Sequence, residues 1–108
     1  MNQPKTASYR KVGTTIYTGE IRGKPGDVPM QIRDIMRQVQ VTLSEAGASL
    51  NSVVKVTVYM AYMPDCERYL DPIWNEFFDL NPPVRTVVQA GLENGIFVKM
   101  EMIAESKA

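Results

Sequence analysis

Ser52-Val53-Val54-Lys55-Val56-Thr57-Val58-Tyr59-Met60-Ala61 decides the fold. The run is rich in β-branched residues and alternates, so it reads as a strand with Val54, Val56, Val58 and Met60 on one face. Val53, Lys55, Thr57, Tyr59 and Ala61 form the other face, which mixes apolar and polar groups. Helical periods flank it on both sides. Upstream, Ile32, Ile35, Met36, Val39, Leu43 and Ala46 form one apolar stripe that predicts a helix over 30–46, with Gly47 placed for a left-handed C-cap. Downstream, Cys66, Tyr69, Leu70, Ile73, Trp74, Phe77 and Phe78 repeat at helical spacing over about 65–79. Asp65 is a plausible N-cap of that second helix. Pro72 interrupts the period, so the helix either kinks there or restarts with Asp71 as its cap.

Outside this centre, residues 9–21 carry Thr14-Thr15-Ile16-Tyr17-Thr18, a strand-forming run stopped by Gly19. A turn at 11–14 makes the segment a short hairpin. Residues 22–27 form a Gly- and Pro-containing loop, and residues 1–7 are a loose end or an edge segment. After Asn81-Pro82-Pro83 come a strand at 84–90, a turn at 91–95 and a last strand at 96–104. The order β-β-α-β-α-β-β predicts an α+β fold, one mixed sheet with two helices on one face, as a single domain over 1–108. The opposite face is expected to carry Val53, Tyr59, Val87, Phe97 and Ile103. With no helix left to cover them, contact with further copies of the chain is expected.

Composition narrows the chemistry. The 108 residues contain no histidine, which excludes Ser-His-Asp and Cys-His catalysis and the usual His-based metal sites. Cys66 is the one cysteine, so there is neither a disulfide framework nor a CxxC redox pair. Twelve basic residues balance twelve acidic ones, and a nucleic acid partner is therefore not expected. No apolar run is long enough to cross a membrane and the N-terminus lacks the apolar stretch of a secretory signal; a cytoplasmic protein is expected.

The chain resembles the Rid (YjgF/YER057c/UK114) family of small trimeric proteins. The matching stretches are Tyr17-Thr18-Gly19-Glu20-Ile21, residues 31–47, and Asn51-Ser52-Val53-Val54-Lys55-Val56-Thr57-Val58-Tyr59. Trp74-Asn75-Glu76-Phe77-Phe78, Pro83-Val84-Arg85-Thr86 and Glu101-Met102-Ile103-Ala104 complete a set that runs in order over about 12–104. The resemblance implies a chorismate-mutase-like homotrimer with clefts between subunits. It also implies hydrolytic deamination of small enamine or imine acids to a 2-keto acid and ammonia, with no metal and no cofactor. Other activities also fit: a non-catalytic carboxylate-binding or chaperone-like trimer, or a pathway-specific relative with a larger anionic substrate.

By the same resemblance, Arg85 holds the substrate carboxylate, a task suited to a planar guanidinium that can make two parallel hydrogen bonds. The structural alternative is an arginine paired with an acid. Thr18 takes the place of a small hydroxyl residue lining the cleft, Gly19 allows close backbone approach, and Thr86 follows Arg85 in the motif. Tyr9 does not align cleanly with the family's N-terminal tyrosine. Asp71 stands where an asparagine is often found, as a cap or a substrate contact. Cys66 is expected to be buried and inert, and Trp74, Phe77 and Phe78 to be core. In the last strand active relatives commonly have Glu-x-Glu, whereas this chain has Lys99 and Glu101. Lys99 occupies the position of the water-holding acid and is expected to weaken turnover of small enamines, or to attract a second anionic group. Glu101 is the remaining candidate to orient the water. In light scattering the protein is expected to have three times the mass of its 12.1 kDa chain, and a monomer at micromolar concentration would contradict the trimer.

Overall fold

A computed structural model describes residues 3–107. The N-terminal hairpin pairs β1 (Tyr9–Val12) with β2 (Thr15–Thr18) through a turn in which Gly13 has a φ of 61°, the left-handed region that favours glycine. Residues 3–7 carry no regular structure, and the rest of the expected loose end, 1–2, lies outside the described residues. A two-residue strand, β3 (Ile21–Arg22), follows and takes in the first residue of the expected loop.

Helix α1 (Val28–Glu45) starts two residues earlier than its apolar period suggests. Asp27 is the reason: its carboxylate accepts the Met30 N–H at 2.9 Å, satisfying one of the first turn's orphan donors, and proline follows in that turn. At the other end Gly47 has a φ of 83°. The Ala48 N–H reaches the Leu43 carbonyl at 2.7 Å and the Gly47 N–H reaches that of Ser44 at 3.1 Å, a Schellman ending.

Strand β4 (Val53–Met60) forms the middle of the sheet, antiparallel to β6 (Val98–Glu105) and parallel to β5 (Val84–Gln89). The sheet order is β1-β2-β6-β4-β5, with β3 also pairing with β6. A bulge between Val53 and Lys55 adds one residue to β4 and shifts the alternation. Val53 is therefore buried in the core and Val54 is exposed, the reverse of the sequence expectation. Val87 is corrected in the same way. It aligns with Val58 and packs against the core, which leaves Val84 and Val88 to face the uncovered side.

The second helical segment also differs at its start. Asp65 has helical dihedrals and makes no side-chain cap bond. A π-helical turn, Cys66–Leu70, runs directly into α2 (Asp71–Phe77). Asp71 is helical too (φ −59°, ψ −46°) and caps nothing; its N–H bonds the Cys66 carbonyl five residues back. Pro72 has no N–H and its ring crowds the preceding turn, and the wider π turn makes room for it without breaking the helix.

Both helices pack on one face of the sheet, over Val56, Val58, Met60, Met100 and Met102. Among the described residues no helix is long and apolar enough to cross a membrane. Gln31, fully buried, ties the N-terminal turn of α1 to the segment before β6. Its amide donates to the carbonyls of Gly26 (2.9 Å) and Gly95 (2.8 Å), and its Oε1 accepts the Phe97 N–H at 2.9 Å. Gln31→Leu removes these three hydrogen bonds from the partly buried backbone at this junction. It is expected to cost about 2 kcal/mol of stability and to lower the melting midpoint by roughly 10 °C, as read by thermal unfolding.

Candidate functional site

Arg85 lies on the edge strand β5 and aligns with core-facing Val56, so its side chain rises on the helix-covered side. There the guanidinium carbon sits 5.0 Å from the Trp74 ring centroid, and Nη1 donates to Asp71 Oδ1 at 2.7 Å. Trp74 is fixed in turn by Phe78, with ring centroids 4.5 Å apart. The Arg85 side chain is 28% exposed and that of Asp71 41%, so the pair reaches solvent at the rim of the core. Cys66 is half-buried, with Sγ 3.7 Å from the same Asp71 oxygen; burial and then the Asp71 charge push its thiol up, which keeps it protonated.

A second group lies on the uncovered face. Glu101 accepts a hydrogen bond from the Tyr59 hydroxyl at 2.7 Å, and this bond pushes the phenol's pKa up, so Tyr59 remains a donor. Glu101 lines a pocket of about 290 Å³ together with Tyr17, Thr18, Lys55 and Thr57, and Tyr59 reaches it through the Glu101 carboxylate. Here β2 parts from β6, and the Thr18 hydroxyl replaces the missing strand partner by accepting the Met102 N–H at 2.8 Å while donating to the Gly19 carbonyl. Gly19 has a different neighbour from the expected ligand. A Cβ there would lie 3.3 Å from the Ala7 carbonyl oxygen, and its N–H bonds the Ser8 carbonyl, so the backbone it admits closely is the chain's own. Tyr9, paired with Thr18, packs against the core. Thr86 is exposed and aligns with Thr57 on the uncovered side of β5.

Lys99 shares that face but is already engaged. Its side chain is 13% exposed, with Nζ 2.7 Å from Glu93 and 3.4 Å from Glu20, and Arg22 approaches Glu93 from β3 at 3.8 Å. The hydrogen bond that Lys99 donates to Glu93 leads the influences that raise the Lys99 pKa, and the same bond lowers that of Glu93. The ammonium is thus neither a base nor an unoccupied anion anchor.

Within one chain these groups do not converge. Arg85 and Glu101 lie on opposite faces, on β5 and β6, separated by the whole of β4. Thr18 and Glu101 come together, as do Arg85 and Asp71, while Thr86 and Lys99 stand apart from both. The partners Tyr59, Glu93 and Glu20 carried no local sequence signal; strand pairing places Tyr59, and the connections before β3 and β6 place Glu20 and Glu93. Among the described residues no group of three or more His, Cys, Asp or Glu could hold a metal ion.

The chain matches the Endoribonuclease L-PSP family over residues 11–106. It is 38% identical over 88 residues to a RutC family protein of Pyrococcus abyssi, covering 81% of this chain and 67% of that one. It is 32% identical over 95 residues to TdcF of Escherichia coli, a candidate reactive intermediate deaminase, covering 84% and 70%. Among solved structures, yeast Mmf1 superposes with a TM-score of 0.89 at 21% identity, over 98% of this chain and 90% of that chain. A YjgF/YER057c/UK114 family member of Mycobacterium tuberculosis gives 0.85 at 25% identity, over 91% and 84%.

The Lys99–Glu93 pair has a defined pH window. Glu93, lowered by folding, contributes above its unfolded pKa and loses its contribution as pH falls through the folded value; Lys99, raised by folding, loses its contribution as pH rises through its own. The pair is expected to persist between about pH 4.3 and 10.4, the ordinary values of the two groups. An NMR titration is expected to place the Lys99 midpoint above those of exposed lysines, and Glu93→Gln to bring it back down.

Proposed function

Because the chain belongs to the Rid (YjgF/YER057c/UK114) family, we propose that it hydrolyses small enamine or imine acids to a 2-keto acid and ammonia. The observation that carries this reading is Arg85. Its guanidinium is stacked on Trp74 at the rim of the core, still partly open to solvent, within the Pro83-Val84-Arg85-Thr86 motif. It supplies a pH-independent cation with further N–H donors for a carboxylate. TdcF, the relative with a deaminase name, supports the same general chemistry.

The enamine first tautomerises to the imine, whose C=N carbon is the electrophile. Glu101 accepts a proton from water as the oxygen attacks that carbon, and the proton passes to the departing nitrogen as the C–N bond breaks. Tyr59 holds the Glu101 carboxylate by its 2.7 Å hydrogen bond. Thr18 borders the same pocket. Lys99 cannot take the water-holding role, because its ammonium accepts no proton. Lys99→Glu would put a third carboxylate beside Glu93 and Glu20, so it is expected not to improve turnover.

Arg85 and Glu101 act on one substrate if they come from different subunits. A homotrimer with clefts between copies meets that requirement and also covers the apolar groups on the open sheet face. The family description names an endoribonuclease, but the balanced charge of this chain offers no basic excess to hold a polyanion.

Arg85→Ala is expected to weaken 2-keto acid binding by about 2 kcal/mol, in calorimetry, for loss of a partly solvated charge-assisted contact. Glu101→Gln is expected to lower release of keto acid from enzymatically generated 2-aminoacrylate by about 100-fold or more while leaving keto acid affinity unchanged. Unaltered turnover in both variants would overturn the assignment.

A further inference from the structure

Arg85 does not stand alone at the rim of α2. Its Nη1 bonds Asp71 Oδ1 along one edge of the guanidinium, and Trp74 covers one face of the plane. Cys66 Sγ also donates to Oδ1. Both hydrogen bonds that Asp71 accepts fall on one oxygen, so among the described residues Oδ2 carries none. The result is a cation with N–H groups to spare beside an anion with an oxygen to spare, both reaching solvent. The π turn before Pro72 sets this arrangement, since it carries Asp71 in helical conformation into the helix that faces β5.

We propose that Asp71 is a specificity-determining residue that makes this a site for zwitterionic 2-imino acids rather than for plain carboxylates. The inference rests on the deaminase assignment and on Arg85 as the carboxylate anchor. A protonated imine acid carries its carboxylate and its N–H⁺ group two bonds apart, which complements Arg85 and Asp71 side by side. The carboxylate of Asp71 favours the protonated C=N, the more electrophilic form. Hydrolysis consumes the iminium and water and yields the keto acid anion and ammonium. The positive group that faced Asp71 is then lost, and the product is left as a bare anion next to an acid. The site thereby distinguishes substrate from product and favours release of the product. Cys66 stays a neutral thiol, so it adds no second anion next to Arg85.

The test is calorimetric titration of 2-oxobutyrate and 2-aminobutyrate into wild type, Asp71→Asn, Asp71→Glu and Arg85→Ala. Asparagine keeps the size of the side chain and an oxygen for Arg85, but removes the charge. Asp71→Asn is expected to tighten 2-oxobutyrate by about tenfold and to weaken 2-aminobutyrate, while Asp71→Glu keeps the wild-type order of preference. If Asp71 merely orients Arg85, both ligands change by the same factor; that result, or no change in either, would overturn the role of Asp71 and leave Arg85 as the anchor. If neither ligand binds wild type, or Arg85→Ala binds both as wild type does, the carboxylate site itself is wrong and the role of Asp71 falls with it.

Discussion

Two helices can cover one face of a sheet, and in this chain both cover the same one. The core lies between them and β4 and β6, where Val56, Val58, Met60, Met100 and Met102 are essentially inaccessible. The other face carries exposed Tyr17, Val54, Val84, Val88 and Phe97 together with Lys55, Thr57 and Glu101. This one-sidedness also sorts the candidate chemistry. Alternation along the strands sends Arg85 to the covered side and Glu101 to the open side, so no rotamer change within a chain unites them. A second copy against the open face would serve burial and function together.

The covered side owes its details to one proline. Pro72 cannot continue an α-helical hydrogen-bond ladder, and the chain answers with a five-residue π turn. The same turn sets Asp71 against Arg85 and Cys66, and the rest of the helix supplies Trp74 beneath the guanidinium. An exposed ion pair of this kind adds little stability, about 0–1 kcal/mol. Its consequence lies in what it does to the charge of a binding site. On the open side two carboxylates, Glu93 and Glu20, hold Lys99, which leaves Glu101 as the carboxylate that lines the pocket.

Much of the fold was legible because strong periods mark it. The stripe from Ile32 to Leu43 gives α1, and the β-branched run from Val53 to Met60 gives the middle strand. Faces were less legible than elements. The bulge near Val53 inserts one residue, and a two-residue period cannot reveal such an insertion, so Val53 and Val54 exchanged sides. Val87 was misplaced because β5 holds Val84, Val87 and Val88, which do not alternate cleanly; its parallel register with β4 settles the matter. In the site, the residue types could be read from motifs and resemblance, but their partners could not. Asp71 beside Arg85, Tyr59 beside Glu101 and Glu93 beside Lys99 depend on packing and pairing across the fold. Asp65 looked like a cap because it opens the helical period, and Asp71 because it precedes a proline; the π turn, which makes both residues helical, removed the need for either.

The account stands on a site divided between two subunits, and subunit mixing tests it most directly. Arg85→Ala and Glu101→Gln proteins are each expected to turn over substrate slowly as pure species, the first through weakened binding and the second through the lost proton acceptor. When the two are co-expressed or refolded together, a mixed assembly contains clefts in which a wild-type Arg85 from one copy meets a wild-type Glu101 from its neighbour. Deamination is then expected to return to about a quarter of the wild-type rate per cleft, the share of such pairings in a random ring. Mixed assemblies as inactive as their parents would show that both residues must come from one chain, and would contradict the account.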